Sequence, residues 1–240
     1  MSDDLPTINV PLTALPSTIL NVLGLPIPEG LTPPIPMKTP AVNRIVFVMI
    51  DNFGLFEIVA HKPQFVIEQS KALIMLETNN PYTDSVLTQI VHAGFEPSKF
   101  NLFEYLHQNQ KSTLMIGKKE DVVKYAGNTQ FVASQGDMTT WINGSKYLNR
   151  IDFLWLHFLD FEELYKKSIM FKQQPPENLV QKLIHRTDKW MLGMYKQSAA
   201  STLLIISGDH GRTHVEMYDE NSKYGQWRKA SLPIAVLCIK

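Results

Sequence analysis

"LLIISGDHGRTH", residues 203–214, joins an apolar run directly to a polar cluster. Leu203 to Ile206 reads as a strand covered on both faces. It ends at once in Ser-Gly-Asp-His-Gly, and His214 follows His210 by four positions. A carboxylate beside an imidazole at the abrupt end of a buried strand is either a polar turn or half of a metal site. Two other apolar runs end the same way: "RIVFVMID" (44–51) in Asp51 and "DFLWLHFLD" (152–160) in Asp160. In open α/β sheets, ligands bind beyond the carboxyl ends of the strands. If these strands are parallel, Asp51, Asp160, Asp209 and His210 converge on one rim. Carboxylates gathered there repel one another unless a cation lies between them. Aspartate oxygens with a histidine nitrogen suit zinc or manganese, as one ion or two, better than magnesium. Each residue also has a plainer role alone: Asp51 in a turn, Asp160 capping a helix from near Phe161, and Gly211 permitting a positive φ. The joint pattern favours the metal.

The rest of the chain alternates strand and helix patterns. Strands are expected at 72–76, 112–117, 131–133 and 232–239, and helices at 83–94, 98–108, 118–127 and 177–199. That alternation predicts an α/β fold with a mainly parallel central sheet flanked by helices on both faces. A single domain spans 1–240. Its proline-rich segment, 1–43, holds a short helix near 14–23 and an extended connector, and 44–240 is the core. Lys+Arg and Asp+Glu both number 23, so nothing in the charge balance suggests a nucleic-acid polymer or a polybasic membrane anchor as partner. The longest apolar runs, such as 45–50, are too short to span a bilayer. One cysteine, Cys238, cannot form an internal disulfide, and "MSDDLPTINV" has no apolar signal core. A cytoplasmic location is the expectation.

Four segments together resemble the alkaline phosphatase superfamily, which includes nucleotide pyrophosphatases, sulfatases and cofactor-independent phosphoglycerate mutases. "RIVFVMIDNFG" resembles its first strand and metal aspartate, and "LLIISGDHG" its Asp-His-Gly motif. "FLWLHFLDFEELY" resembles the segment carrying the other metal's aspartate, and "NPYTDSVLTQIVHAGFEPSKFN" the nucleophile helix. The resemblance runs from about 44 to 240. It implies an alkaline-phosphatase-like core with two metals about 4 Å apart. It also implies a Thr or Ser that attacks phosphorus and forms a covalent intermediate. Asp51, Asp209, His210 and the nucleophile would hold one metal; Asp160 and a distant histidine would hold the other.

The match has gaps. Family spacing from Pro81 puts the alcohol at 84, where this chain has Asp84, flanked by Thr83 and Ser85. Thr83 is the first choice as nucleophile, with Asp84 either a metal ligand or a helix cap. A family histidine is replaced by Leu164; Glu163 is an oxygen ligand there or part of an exposed helix face. His157 lies an odd number of residues from Asp160, on the opposite strand face. His214 is a metal ligand or a surface residue beside Arg212. Arg212 either holds an anionic oxygen or pairs with Glu216, and His92 complements the end of its helix.

"PLTALPSTILNVLGLPIPEGL" (11–31) resembles a segment that in the superfamily follows the last core strand. Here it comes first, which predicts a circular permutation in which 14–24 pack beside the strand at 232–239. Only 128–150 and 165–180 leave room for substrate-shaping insertions. The resemblance implies a metal-dependent hydrolase of phosphate mono- or diesters acting on a small anionic phosphate ester. The alternative is a catalytically degenerate member that binds a metal, an anion or a protein. A metal-free nucleotide-binding domain is weaker, since no G-x-G-x-x-G turn follows any strand.

Overall fold

The structure is a computed structural model that describes residues 7–37, 40–78, 80–171, 173, 175–211 and 234–240. Eight strands form one sheet: β1 (Thr7–Pro11), β2 (Arg44–Ile50), β3 (Ala72–Glu77), β4 (Thr113–Gly117), β5 (Gln130–Ala133), β6 (Phe153–Phe158), β7 (Thr202–Gly208) and β8 (Ile234–Ile239). Their spatial order is β1-β3-β8-β7-β2-β6-β4-β5. β8 is antiparallel to both neighbours, and every other pairing is parallel. The fold is α/β with a mainly parallel sheet and helices on both faces.

The central strands show why a continuous apolar run reads as a strand. Along β2, Ile45, Phe47 and Met49 enter one apolar layer, while Val46, Val48 and Ile50 enter the other. Phe153 and Trp155 of β6 and Leu203 and Ile205 of β7 join the first layer. Leu154, Leu156, Leu204 and Ile206 join the second. Side chains alternate across a strand, so a strand covered on both sides must be apolar at every position. The first layer is closed by α1 (Ala14–Val22), α4 (Thr83–Val91), α5 (Leu102–Gln108) and α6 (Lys119–Tyr125). The second is closed by α2 (Leu55–His61), α3 (Gln64–Gln69), α7 (Asp137–Tyr147), α8 (Asp160–Met170) and α9 (Glu177–Gln197). No helix among the described residues is long and apolar enough to cross a membrane.

Several elements escaped the sequence pattern. β1 pairs residue by residue with β3 in the proline-rich segment, ahead of the expected helix, where no strand was expected. Helices α2, α3 and α7 were not anticipated either. α7 is mostly polar, and its Gly144 rests on Leu156, where a Cβ would lie 2.7 Å from Leu156 Cδ1. Its position therefore depends on close approach to the sheet rather than on a broad apolar stripe. α3 is anchored from outside itself: Asp188 of α9 accepts hydrogen bonds from the amides of Phe65 (2.9 Å) and Val66 (3.0 Å). The expected neighbour of 14–24 was the strand at 232–239. In the structure α1 packs on α4, and Ile239 at the end of β8 borders the same apolar layer. β1 and β8 lie on either side of β3.

Gly208 fixes how the end of β7 meets the turn after β2. A Cβ there would lie 1.5 Å from the carbonyl oxygen of Phe53. The obstacle is backbone that carries Asp51 and Asn52, so it cannot yield as a flexible side chain would. Gly208→Ala is expected to lower stability by about 3 kcal/mol or more in urea unfolding. Gly193, inside α9, faces open space: a Cβ there would meet nothing within 4 Å. Gly193→Ala should therefore stabilise the protein by about 0.5–1 kcal/mol. Equal effects of the two substitutions would contradict the packing described.

Candidate metal centre

β2 and β7 are parallel neighbours with Ile50 opposite Gly208. Asp51 and Asp209 therefore leave the sheet side by side. Both are buried, with 1% and 0% exposure, and His210 follows at 6%. One ligand atom from each of Asp51, Asp209 and His210 lies within 4.8 Å of the others. Thr83, the first residue of α4, brings its hydroxyl to the same point. Its Oγ1 is 2.7 Å from Asp209 Oδ2, 3.2 Å from Asp51 Oδ2 and 3.2 Å from His210 Nε2. A hydroxyl has one proton, so it cannot donate to all three at once. Several acceptors converging on one small volume is the arrangement a cation requires.

The supporting hydrogen bonds leave the right atoms free. His210 Nδ1 lies 2.7 Å from the Gly211 carbonyl oxygen. A carbonyl only accepts, so Nδ1 carries the proton and Nε2 turns its lone pair towards Thr83. Asp209 Oδ1 accepts from the amides of Asn52 (3.0 Å) and His210 (2.8 Å), leaving Oδ2 for the centre. The Asn52 side-chain amide donates to Asp51 Oδ1, leaving that Oδ2 likewise. Asn52 sits at φ 54°, in the left-handed region that asparagine tolerates better than most residues. Burial, then the charge of Asp209, then that of Glu162 push the Asp51 carboxyl well above its ordinary range; hydrogen bonds from Thr83 and Asn52 oppose this. A divalent ion at the four converging atoms would reverse that penalty. The donor set, oxygens plus one neutral imidazole nitrogen, fits such an ion.

Other candidates go elsewhere. Asp84, expected as a metal ligand or a helix cap, has its carboxylate paired with Lys124 and accepting from the Tyr125 hydroxyl at 2.6 Å. The Lys124 hydrogen bond, then the Tyr125 one, lower its pKa. Ser85 Oγ accepts from Gln89 Nε2 at 3.0 Å. Of the three candidate positions for the nucleophile, the structure brings the side chain of Thr83 to the cluster.

Asp160 has a cationic partner in the structure. Expected at a second metal, it is paired with Arg186, whose Nη1 lies 2.8 Å from Asp160 Oδ2. Asp137, which carried no signal in the sequence, accepts from Arg186 Nη2 at 3.0 Å. Asp137 Oδ1 also accepts from the amides of Leu159 (2.6 Å) and Asp160 (3.1 Å). Glu163 is exposed on α8, with Lys166 Nζ 3.7 Å away. Glu162, rather than Glu163, acts on Asp51 by its charge, and it pairs with Lys166 at 2.6 Å. His157 is buried with its Nδ1 3.2 Å from Asp121 Oδ2. His92 Nδ1 lies 2.8 Å from the Phe100 carbonyl oxygen. His214, Arg212 and Glu216 lie outside the described residues.

Burial, then the charge of Asp160, push Asp137 from 3.8 to about 6, against the backbone donors and Arg186. The folded state thus keeps a proton on Asp137 over a pH range where the unfolded chain has released it. The associated stability is full below the unfolded pKa and is lost as pH rises through the folded one. Thermal stability of the native chain should decline from this source between about pH 4 and 6. Asp137→Asn should flatten that part of the melting temperature's pH profile. Parallel profiles for the two proteins would rule the assignment out.

No protein-family model and no curated protein matches this sequence. Solved structures do match. The C-terminal periplasmic domain of EcEptC from Escherichia coli aligns at 12% identity over 83% of this chain and 73% of its own, with a TM-score of 0.55. The lipoteichoic acid synthase LtaP from Listeria monocytogenes aligns at 10% identity over 92% of this chain and 70% of its own, with a TM-score of 0.52. A protein in the alkaline phosphatase superfamily from Vibrio parahaemolyticus aligns at 12% identity over 83% of this chain, which spans 60% of that protein, with a TM-score of 0.52. At such low identity the likeness speaks for architecture, and the chain has the fold of the alkaline phosphatase superfamily.

Proposed function

We propose that the protein is a metal-dependent hydrolase of phosphate mono- or diesters, with Thr83 as nucleophile. The observation that carries this reading is the meeting of Thr83 Oγ1 with Asp51, Asp209 and His210 at one buried point. Asp51, Asp209 and His210 would hold the ion, with zinc or manganese suited to the donors. When bound, such an ion supplies Lewis acidity and favours the alkoxide form of a nearby hydroxyl. Among similar structures, EcEptC is known as a complex with zinc, at a TM-score of 0.54. The phosphoglycerol transferase GacH from Streptococcus pyogenes is known in complex with sn-glycerol-1-phosphate, at a TM-score of 0.53. The first supports a divalent metal here, and the second a small anionic phosphate ester as the substrate class.

The chain's own groups account for the steps. Asp209 Oδ2, 2.7 Å from Thr83 Oγ1, orients the hydroxyl and accepts its hydrogen bond. Thr83 stands at the start of the nine-residue helix α4, whose N-cap Tyr82 supplies no side-chain cap. First-turn amides therefore remain to meet phosphoryl oxygens, with the helix dipole favouring negative charge there. Attack by Thr83 Oγ1, its proton released to water, forms an O–P bond as the bond to the ester leaving group breaks, and the leaving oxygen takes a proton from water. Water then cleaves the phosphothreonine, releasing phosphate or a phosphomonoester and restoring the hydroxyl.

Metal content by inductively coupled plasma mass spectrometry, with turnover of p-nitrophenyl phosphate and bis-p-nitrophenyl phosphate, tests this. The double variant Asp209→Ala/His210→Ala should lose both metal and activity. Thr83→Ala should keep its metal and lose activity by about a thousandfold or more. Metal affinity should fall as pH is lowered, because Asp51 ligates only when deprotonated and its pKa is raised. Metal binding without turnover of either ester, in the native chain as in Thr83→Ala, would leave a binding domain in place of an enzyme.

A further inference from the structure

β6 borders β2, and the Asp51 amide donates to the Phe158 carbonyl at 3.0 Å. Asp160 follows two residues later, so its cluster with Asp137 and Arg186 stands on the same rim, one strand from the Asp51 centre. The cluster is completely built. Arg186 spreads its two terminal nitrogens over two carboxylates, at 2.8 Å to Asp160 Oδ2 and 3.0 Å to Asp137 Oδ2. The remaining oxygens are used by backbone: Asp137 Oδ1 by Leu159 and Asp160, and Asp160 Oδ1 by the Asp137 amide at 3.2 Å. All four carboxylate oxygens thus face a donor. The guanidinium is held in place from behind. Its Cζ lies 4.3 Å from the Trp190 ring centroid, and Trp190 stacks on Trp141 at 5.3 Å and 9°.

We infer that Arg186 takes the place of a second divalent cation, so that the centre holds a single ion, at Asp51, Asp209 and His210. This rests on the reading that those residues bind metal. A guanidinium is a permanent, planar charge whose fork matches two carboxylates. Its single charge offsets part of the charge of Asp137 and Asp160, where a divalent ion would offset both, and each of their oxygens already faces a donor. It does not polarise a leaving-group oxygen as a bound ion does, because its charge is spread over three nitrogens and it has no open coordination position. Arg186 is therefore a positioning residue that sets the number of ions.

The test is a count of zinc or manganese per chain after equilibration with excess metal and desalting. The native protein should hold one ion, and Asp160→Asn should still hold one. Arg186→Ala exposes two carboxylates to each other and should raise the count to two; adding Asp137→Asn should return it to one. Asp51→Asn should remove one ion from each protein. Two ions in the native chain, or loss of an ion in Asp160→Asn, would overturn the inference. If Arg186→Ala fails to fold, the Asp160→Asn count in an otherwise intact chain decides the matter. No ion in the native chain but one in Arg186→Ala would sink the Asp51 centre and leave the role of Arg186 standing. No ion in either would remove both.

Discussion

Two buried carboxylates, Asp51 and Asp209, held side by side at the ends of adjacent parallel strands, are the constraint to which the rim of this protein answers. Moving one carboxylate out of water costs several kcal/mol even after the protein relaxes. Placing a second beside it adds repulsion, which is why Asp51 holds its proton well above the ordinary range. The surroundings reduce the penalty without removing it. Backbone and side-chain amides take one oxygen of each carboxylate, and the hydroxyl of Thr83 meets the other. What remains is a small volume with a residual demand for positive charge, next to a hydroxyl at a helix start.

The same rim meets the same demand differently one strand away. Asp137 and Asp160 begin two helices, and each accepts an amide from the other's first turn. Their charge is answered by Arg186 from α9, stacked on Trp190. One pair of carboxylates is thus closed by a side chain, and the other meets the Thr83 hydroxyl and the His210 ring. The difference follows from what each strand end faces. β7 ends beside the β2 turn, where Gly208 lets backbone approach backbone. β6 ends under α9, where Phe158 meets Trp190 and Arg186 reaches both carboxylates.

The two faces of the sheet divide the work. The first layer carries α4 and so delivers Thr83 from one side of the sheet. The second carries α8 and α9 and so delivers Asp160 and Arg186 from the other. Asp188 of α9, by capping α3, ties the second layer to the segment that follows Asp51. A shift of either layer would therefore separate groups that the rim brings together.

Local pattern in the sequence determined the α/β class, the buried central strands and the strand-end positions of Asp51, Asp160 and Asp209. That was legible because a strand covered on both faces must be apolar throughout, and its end is marked where polarity returns abruptly. Polar or short elements left no such mark, and β1, α2, α3 and α7 went unread. Tertiary structure alone decided which carboxylates keep company. Thr83 and Asp209 are 126 positions apart, and Asn52 and Asp209 are 157. Nothing in local sequence distinguishes Asp160, which meets an arginine, from Asp51, which meets another aspartate. That choice follows from strand order and from the helix laid across each strand end, and both arise from packing between distant segments.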